Sequence, residues 1–241
     1  MAADMNENSI EIKNVQNDGS SNNNKQFPTL KCITDYFSYI TPTTEPLSAN
    51  VSVVEGEKYL WIYDVGSHSE IPNMLLRLSE EKGKEIQIVL SHFHPDHISN
   101  LEYIQYAGLY QGKNTYKYTH TGEIVENEMH IDDSCVNLNI FPMPSSHAKG
   151  SLALMVNDKY CLLGDALYPT HKGNKTVYNT GFLKQQIDIL KNIAAPYVLI
   201  SHREPFVQKK QAVITWLENV YSMREKNEPW IELKGLTALQ Q

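Results

Sequence analysis

"VLSHFHPDHIS" (residues 89–99) places a dense group of metal-binding residue types directly after an apolar run. The run that ends at Leu90 predicts a short buried strand, and the proline of the segment is well placed for the first turn of a helix. Imidazole nitrogens and carboxylate oxygens are the ligands that hold a divalent ion such as zinc. The segment therefore predicts ligands for two adjacent metal ions at a strand-to-helix junction. These candidates are His92, His94, Asp96 and His97.

Three further polar residues follow apolar runs. "IFPMPSSH", "CLLGD" and "VLISH" end at His147, Asp165 and His202. Two metal ions need more than four ligands, and layered α/β proteins bind their ligands at the carboxyl ends of strands. We therefore expect these residues to join the first group. The alternative for "HFHPDH" is a polar turn in which Asp96 caps the helix. The remaining histidines lack such a context and are expected in loops or at the surface: His68, His120, His130 and His171.

The composition is that of an ordinary globular chain. Its 241 residues are 41% hydrophobic with a net charge of -7, which suits one substantial domain. Lysine and arginine are scattered, so we expect no nucleic-acid partner. No segment approaches the roughly 18 apolar residues of a membrane span, and the N-terminus lacks the apolar core of a secretory signal. Three widely spaced cysteines form no paired motif, so we expect a reducing, cytoplasmic location.

Strand and helix patterns alternate along most of the chain. Residues 1–27 are rich in Asn, Ser and Asp and predict a flexible segment, in which the alternation of "SIEIKNV" is compatible with an edge strand. Residues 28–241 are expected to form a single domain. The predicted strands are VSVVE, YLWIYD, EIQIVLS, TYKYTH, CVNLNIFPM, SLALMVND, KYCLLGD and PYVLIS. The predicted helices are IPNMLLRLSEEKG, PDHISNLEYIQYA, GFLKQQIDILKNI and FVQKKQAVITWLENVYSMRE. This alternation predicts a layered α/β body.

The order of these motifs, preceded by Asp64 in "YDVG", resembles the metallo-β-lactamase-fold hydrolases over about residues 48–205. The resemblance implies an α/β fold, a four-layer αβ/βα sandwich with the site along one edge. It implies two metal ions, one held by His92, His94 and His147 and the other by Asp96, His97 and His202, with Asp165 bridging them. Asp64 would lie behind the ligands and orient their loop.

Departures from the relatives narrow the chemistry. Asp165 stands where the antibiotic-hydrolysing lactamases usually carry Cys, which disfavours a β-lactam substrate. His94 stands where the diiron flavoprotein relatives carry Glu, which disfavours redox chemistry. About 39 residues follow His202, fewer than the added substrate domain of glyoxalase II enzymes needs. Tyr168, three residues after Asp165, is similar to a tyrosine that contacts the substrate carbonyl in acyl-homoserine lactone lactonases. Packing in the cavity wall is its alternative role.

The resemblance implies a metal-dependent hydrolase in which a metal-bridging hydroxide attacks an ester, lactone or thioester of a small molecule. Asp96 or Asp165 would pass a proton to the leaving group, and Tyr168 would donate a hydrogen bond to the oxyanion. Zinc is the expected metal, and manganese or iron also suit these ligands. Two alternatives stay open: a phosphodiesterase acting on a small phosphodiester, and a metal-binding sensor or interaction module with little turnover. The sequence leaves the oligomeric state open.

Overall fold

The structure, a computed structural model, describes residues 26–233. Residues 1–25, which include most of the predicted flexible segment and its edge strand, lie outside the described residues, as do residues 234–241. The assignment of residues 28–241 to one domain stays a prediction. Within the described range, no helix combines the length and the apolar character that a membrane span requires.

The first part of the chain forms a large sheet and a small hairpin. Its strands are β1 (Leu30–Thr34), β2 (Phe37–Ile40), β3 (Thr43–Thr44), β4 (Leu47–Ser48), β5 (Val51–Glu55), β6 (Tyr59–Tyr63), β7 (Glu85–Val89), β8 (Gly108–Gln111) and β9 (Glu123–Ile124). The sheet has the order β1-β2-β5-β6-β7-β8-β9, and β3 pairs with β4 alone. Its strands are antiparallel up to β6, and β6 to β9 are parallel. The carboxyl ends of β6 and β7 therefore lie at the same edge.

The second part of the chain forms two more sheets. Its strands are β10 (Met129–Asp133), β11 (Val136–Met143), β12 (Ser151–Val156), β13 (Tyr160–Leu162), β14 (Thr170–Lys172), β15 (Lys175–Asn179), β16 (Tyr197–Leu199), β17 (Val207–Lys209) and β18 (Trp230–Glu232). One sheet has the order β10-β11-β12-β13-β16-β17, and the other has the order β14-β15-β18. Strand β12 is antiparallel to both β11 and β13, and β13 is parallel to β16. Three strands of this sheet therefore run in the same direction, namely β11, β13 and β16.

Helices connect the strands within residues 26–233, and the long ones cover the outer faces of the two large sheets. They are α1 (Ile71–Lys82), α2 (Pro95–Ile98), α3 (Lys113–Thr119), α4 (Thr180–Asn192) and α5 (Lys210–Ser222). Successive strand residues point to opposite faces, so a sheet buried on both sides is apolar throughout. In β6, Trp61 and Tyr63 join a core between the two sheets, whereas Leu60 and Ile62 pack in a core with α1. The outer face of the second sheet packs against α4 and α5. These layers are the predicted αβ/βα sandwich.

Three secondary-structure predictions were wrong in whole or in part. The helix predicted over "PDHISNLEYIQYA" is only α2 and a separate 3-10 turn, because the buried side chain of Asn100 donates to the carbonyls of Val65 and His68. "TYKYTH" belongs to helix α3 rather than to a strand, since its alternating tyrosines are not alternately buried. The last predicted helix begins as strand β17, which pairs with β16 before α5 starts.

Candidate metal centre

The predicted ligands all follow strands that end at one edge of the sandwich. The loop after β7 and the short helix α2 carry His92, His94, Asp96 and His97. The loops after β11, β13 and β16 carry His147, Asp165 and His202. The structure thus brings together all seven residues that the sequence singled out, in two groups. The first group is His92, His94 and His147, and the second group is Asp96, His97, Asp165 and His202. Within each group the ligand atoms lie within 4.8 Å of one another.

Asp165 belongs to the second group and also lies beside the first. Its Oδ2 atom is 3.4 Å from His147 Nε2 in one group and 3.3 Å from His97 Nε2 in the other. On the outer side, His202 Nε2 lies 2.9 Å from Asp96 Oδ2. A single carboxylate is therefore in position to contact cations in both groups.

A buried carboxylate behind the cluster sets the proton positions on two histidines. Asp64 accepts hydrogen bonds from the Ser91 amide, the Ser91 hydroxyl and His97 Nδ1, each at 2.7 Å. Because the single Ser91 hydroxyl proton goes to Asp64, Ser91 Oγ accepts from His92 Nδ1 at 2.9 Å. The Nε2 atoms of His92 and His97 are then left to face the cluster. Sequence reasoning had placed Asp64 behind the ligands, but it missed Ser91.

The cluster contains buried polar atoms that the protein does not satisfy. Among residues 26–233, His92 Nε2, His97 Nε2 and Asp165 Oδ1 are buried without a partner in hydrogen-bond geometry. Such an atom costs on the order of 1–3 kcal/mol, and a cation bound between them would remove that cost. His94 Nδ1 and His147 Nε2, which are 2.9 Å apart, also face each other. The donor set and its unsatisfied atoms fit divalent metal ions.

The electrostatics of the cluster favour a bound positive charge. Burial, with the neighbouring histidines, holds the pKa of His92 well below its usual range, and burial also lowers the pKa values of His94 and His147. For His97 burial acts in the same direction, but Asp165 and Asp64 raise its pKa well above the usual value.

Burial opposes ionisation of the two carboxylates as well, yet the surrounding histidines keep the pKa values of Asp96 and Asp165 below normal. Charged carboxylates and neutral imidazoles are the forms that bind metal.

A small cavity opens directly over the cluster. Its volume is about 280 Å³, and its lining is Gln26, Pro42, Thr43, Thr44, Leu47, His94, Asp96, His147, Asp165, Tyr168 and His202. A larger, more open groove of about 1010 Å³ lies beside it and contains only His94 of the seven candidates. Phe93 and Tyr118 stack in that groove with their ring centroids 4.9 Å apart. The smaller cavity is the one in contact with the cluster, because five of the seven candidates line it.

Tyr168 lines the cavity, but its hydroxyl proton already has an acceptor. The hydroxyl donates to the carbonyl of Ser201 at 2.7 Å, and burial raises the pKa of the phenol. The predicted oxyanion contact would require this bond to break, and the role stays a prediction. The structure also shows Asn50, which sequence reasoning missed, accepting a hydrogen bond from the backbone of His202 at 2.9 Å.

The remaining histidines lie outside both groups. His120, His130 and His171 are exposed, as expected. His68 lies in a loop but is buried, and its Nδ1 accepts the backbone N–H of Glu70 at the start of α1, which is a structural role.

Fold and site together define an α/β sandwich with a candidate metal centre of histidines and aspartates at one edge, and this is the metallo-β-lactamase fold. Residues 44–110, which include the H-x-H-x-D-H segment, match the sequence model of that superfamily. In this match, in its fold and in its ligand pattern, the chain is similar to the metallo-β-lactamase superfamily. No match to a curated protein sequence was found.

Solved structures share the fold at low sequence identity. The DIM-1 metallo-β-lactamase is 16% identical with a TM-score of 0.60, and the match covers 82% of this chain and 98% of that one. A metallo-β-lactamase from Pontibacter korlensis is 15% identical with a TM-score of 0.57, covering 80% and 100%. Rubredoxin oxygen:oxidoreductase from Desulfovibrio gigas is 12% identical with a TM-score of 0.64, covering 83% and 63%. Lactamases and an oxidoreductase share this fold, so the fold does not determine the reaction.

Proposed function

We propose that this protein is a dinuclear metal-dependent hydrolase that cleaves an ester, lactone or thioester of a small molecule. The observation that carries the proposal is Asp165 between two ligand groups, with unsatisfied ligand atoms beneath a small cavity. One metal ion would be held by His92, His94 and His147, and the other by Asp96, His97 and His202, with Asp165 shared. Zinc is the metal we propose, and the same donors would accept manganese or iron.

The metal ions, when bound, would lower the pKa of a water toward about 7 and polarise the substrate carbonyl. The chain's own residues provide the surroundings for that chemistry. Asp64 fixes the ring of His97, and Ser91 fixes the ring of His92, so two ligand nitrogens are oriented in advance. Asp96 is partly exposed to the cavity and ionised, so it can accept a proton and pass it to the leaving group.

The cavity favours a small, uncharged reacting group. Its lining contains aliphatic and hydroxyl side chains from the β3–β4 hairpin, and no Lys or Arg from the described residues. A phosphodiester would have only the metal ions to balance its charge, with no help from this wall, which gives some support to the carboxylic ester, lactone or thioester over it. His94, rather than a carboxylate, supports hydrolysis over the redox chemistry named for the oxidoreductase neighbour. A small-molecule substrate and a cytoplasmic location complete the proposal.

The test combines metal content with turnover. The purified protein is loaded with zinc, analysed for metal, and assayed with ester, lactone, thioester and phosphodiester reporters before and after chelation. We expect two zinc ions per chain and hydrolysis of at least one carboxylic reporter that chelation abolishes and zinc restores. Two bound zinc ions with every reporter intact would favour the sensor or interaction module, and phosphodiester cleavage alone would favour the phosphodiesterase.

A further inference from the structure

His202 has an unusual backbone conformation for a residue with a side chain. Its φ angle is 61°, in the left-handed region that favours glycine. A residue stays there only where its surroundings hold it, and such positions concentrate at functional sites.

Two buried side chains hold opposite sides of one peptide group. The bond between Ser201 and His202 places the Ser201 carbonyl and the His202 N–H in the same plane. Asn50 Oδ1 accepts the His202 N–H at 2.9 Å, and the Tyr168 hydroxyl donates to the Ser201 carbonyl at 2.7 Å. Asn50 and Tyr168 are both almost completely buried. With both polar groups of this peptide occupied, its rotation is restricted, and rotation of this peptide is what changes φ of His202.

The two contacts come from different sheets. Asn50 directly precedes β5 in the first sheet, and Tyr168 follows β13 in the second. They hold the His202 imidazole with Nε2 2.9 Å from Asp96 Oδ2 and 3.9 Å from Asp165 Oδ2. His97, in the same group, is oriented separately by Asp64. No described residue accepts a hydrogen bond from Asn50 Nδ2, so the known contact of this side chain is the one to His202.

We propose that Asn50 and Tyr168 are positioning residues that hold the Ser201–His202 peptide, so that His202 completes the Asp96–His97–Asp165–His202 group and binds its metal ion tightly. The inference rests on the proposed dinuclear site. It predicts that both residues affect the binding affinity of the metal ion in the Asp96–His97–Asp165–His202 group. Neither should affect the binding affinity of the ion in the His92–His94–His147 group.

Zinc titration of the metal-free protein against a chromophoric chelator tests this directly. His202→Ala first identifies which of the two binding steps belongs to this group. Asn50→Leu and Tyr168→Phe should each weaken that step on the order of tenfold, as expected for a lost buried hydrogen bond, and leave the other step unchanged. Asn50→Asp keeps the acceptor and should bind within about threefold of the wild type, because the lost amide donor has no partner.

Tyr178→Phe is the matched control. Tyr178 is also buried and also donates to a backbone carbonyl, that of Leu167, at 2.8 Å. The Tyr178→Phe variant should lose as much thermal stability in the metal-free state as Tyr168→Phe. Its zinc affinity at the step assigned to His202 should not change. The inference is overturned if Tyr178→Phe weakens the His202 step as much as Tyr168→Phe does, or if Asn50→Leu or Tyr168→Phe weakens both zinc-binding steps together. It is also overturned if Tyr168→Phe slows turnover and leaves both zinc affinities unchanged, which is the result expected of an oxyanion donor. A wild type that binds fewer than two zinc ions contradicts the proposed function instead.

Discussion

Asp64 orients much of the candidate site although it does not line the cavity over the cluster. It is completely buried and adopts a φ of 60°, and it accepts from Ser91 and from His97. Through Ser91 it also determines which nitrogen of His92 faces the cluster. One carboxylate thus orients two of the proposed ligands, one in each group.

Asp64→Asn should therefore weaken zinc binding without removing any ligand. The amide offers one acceptor instead of two and places an N–H near Ser91 or His97. We expect a loss of about 10- to 100-fold in zinc affinity, which is typical when the partner of a metal-binding histidine is lost. Competition with a chelator measures it, and Asp35→Asn, at an exposed position, is the control. An unchanged affinity in Asp64→Asn would refute this role.

Asp165→Ala tests the shared carboxylate. Its removal takes a donor from both groups, so we expect zinc content to fall from two ions per chain and hydrolysis to fall with it, by at least about 100-fold. His94→Ala should likewise lose metal and activity together. Elemental analysis gives the answer, and two zinc ions retained in Asp165→Ala would contradict the bridging assignment.

At the scale of elements, the turn between β13 and Asp165 requires a glycine. Gly164 has a φ of 51°, and a Cβ atom there would lie 2.6 Å from both Cβ and Oγ of Ser91. The turn can approach the Ser91 loop so closely only because this residue has no side chain.

Gly164→Ala should lower both stability and zinc affinity. The left-handed backbone alone costs about 1–2 kcal/mol with a side chain, and displacement of Ser91 would disturb His92 as well. Gly173→Ala is the matched control, since its φ is 60° but nothing lies within 4 Å of the added atom. Thermal unfolding should show a loss in both variants, and chelator competition a loss only in Gly164→Ala. Equal zinc affinities in the two variants would show that the added Cβ atom at residue 164 does not disturb Ser91 and His92.

The sequence predicted the elements whose burial pattern is simple. Helix α1 carries Ile71 and Leu75 on one face and ends at Gly83, as its pattern indicated. The candidate ligands were predictable because each is polar and follows an apolar strand. Helix α3 was not predictable, because its tyrosines alternate without alternate burial. Asn50 and Ser91 carried no signal either, since their contacts join segments distant in the chain, and one polar residue near a strand is unremarkable in a sequence.

For the molecule as a whole, zinc affinity should depend on pH in one direction. The lowered pKa values of His92, His94 and His147 mean that these rings are neutral above their usual pKa of 6.5 and protonate only below it. Asp96 and Asp165 stay ionised, since their pKa values lie below 3.8, and His97 keeps its extra proton in the metal-free protein. Zinc must displace the extra proton of His97 in this range, and the other three rings add proton competition only at the lower pH values, so affinity should fall as the pH drops from 7.5 to 5. Competition titrations across this range measure it, and a flat profile would contradict the assignment.

In the metal-free protein, the contribution of His92, His94 and His147 to the free energy of unfolding should also decrease as the pH falls. A group whose pKa is lowered by folding contributes stability above its unfolded pKa, and that contribution is lost as the pH falls through the folded value. His97, whose pKa is raised, contributes in the opposite sense. The opposite effects of His97 and the other three histidines on stability do not complicate the zinc titration. There, a proton on any of the four rings competes with the metal.

Metal removal should destabilise the entire sandwich, because the ligands come from loops of both large sheets. Ligand binding to the folded state alone adds about 2.7 kcal/mol when the free ligand is 100 times its dissociation constant. We expect a chelator to lower the melting temperature of the wild type by several degrees and to change that of Asp165→Ala much less. Differential scanning fluorimetry with and without zinc is the measurement, and equal shifts in the two proteins would show that the metal acts elsewhere.

The division of the ligands between the two sheets has a consequence for biosynthesis. Four of the candidates belong to the first sheet and its loops, and the last, His202, follows β16 near the end of the second. A nascent chain on the ribosome that has released only its first half offers an incomplete coordination sphere. If the proposed site is correct, both metal ions can be fully coordinated only after the second sheet has been synthesised and has docked, so completion of the metal centre would be a late event of folding.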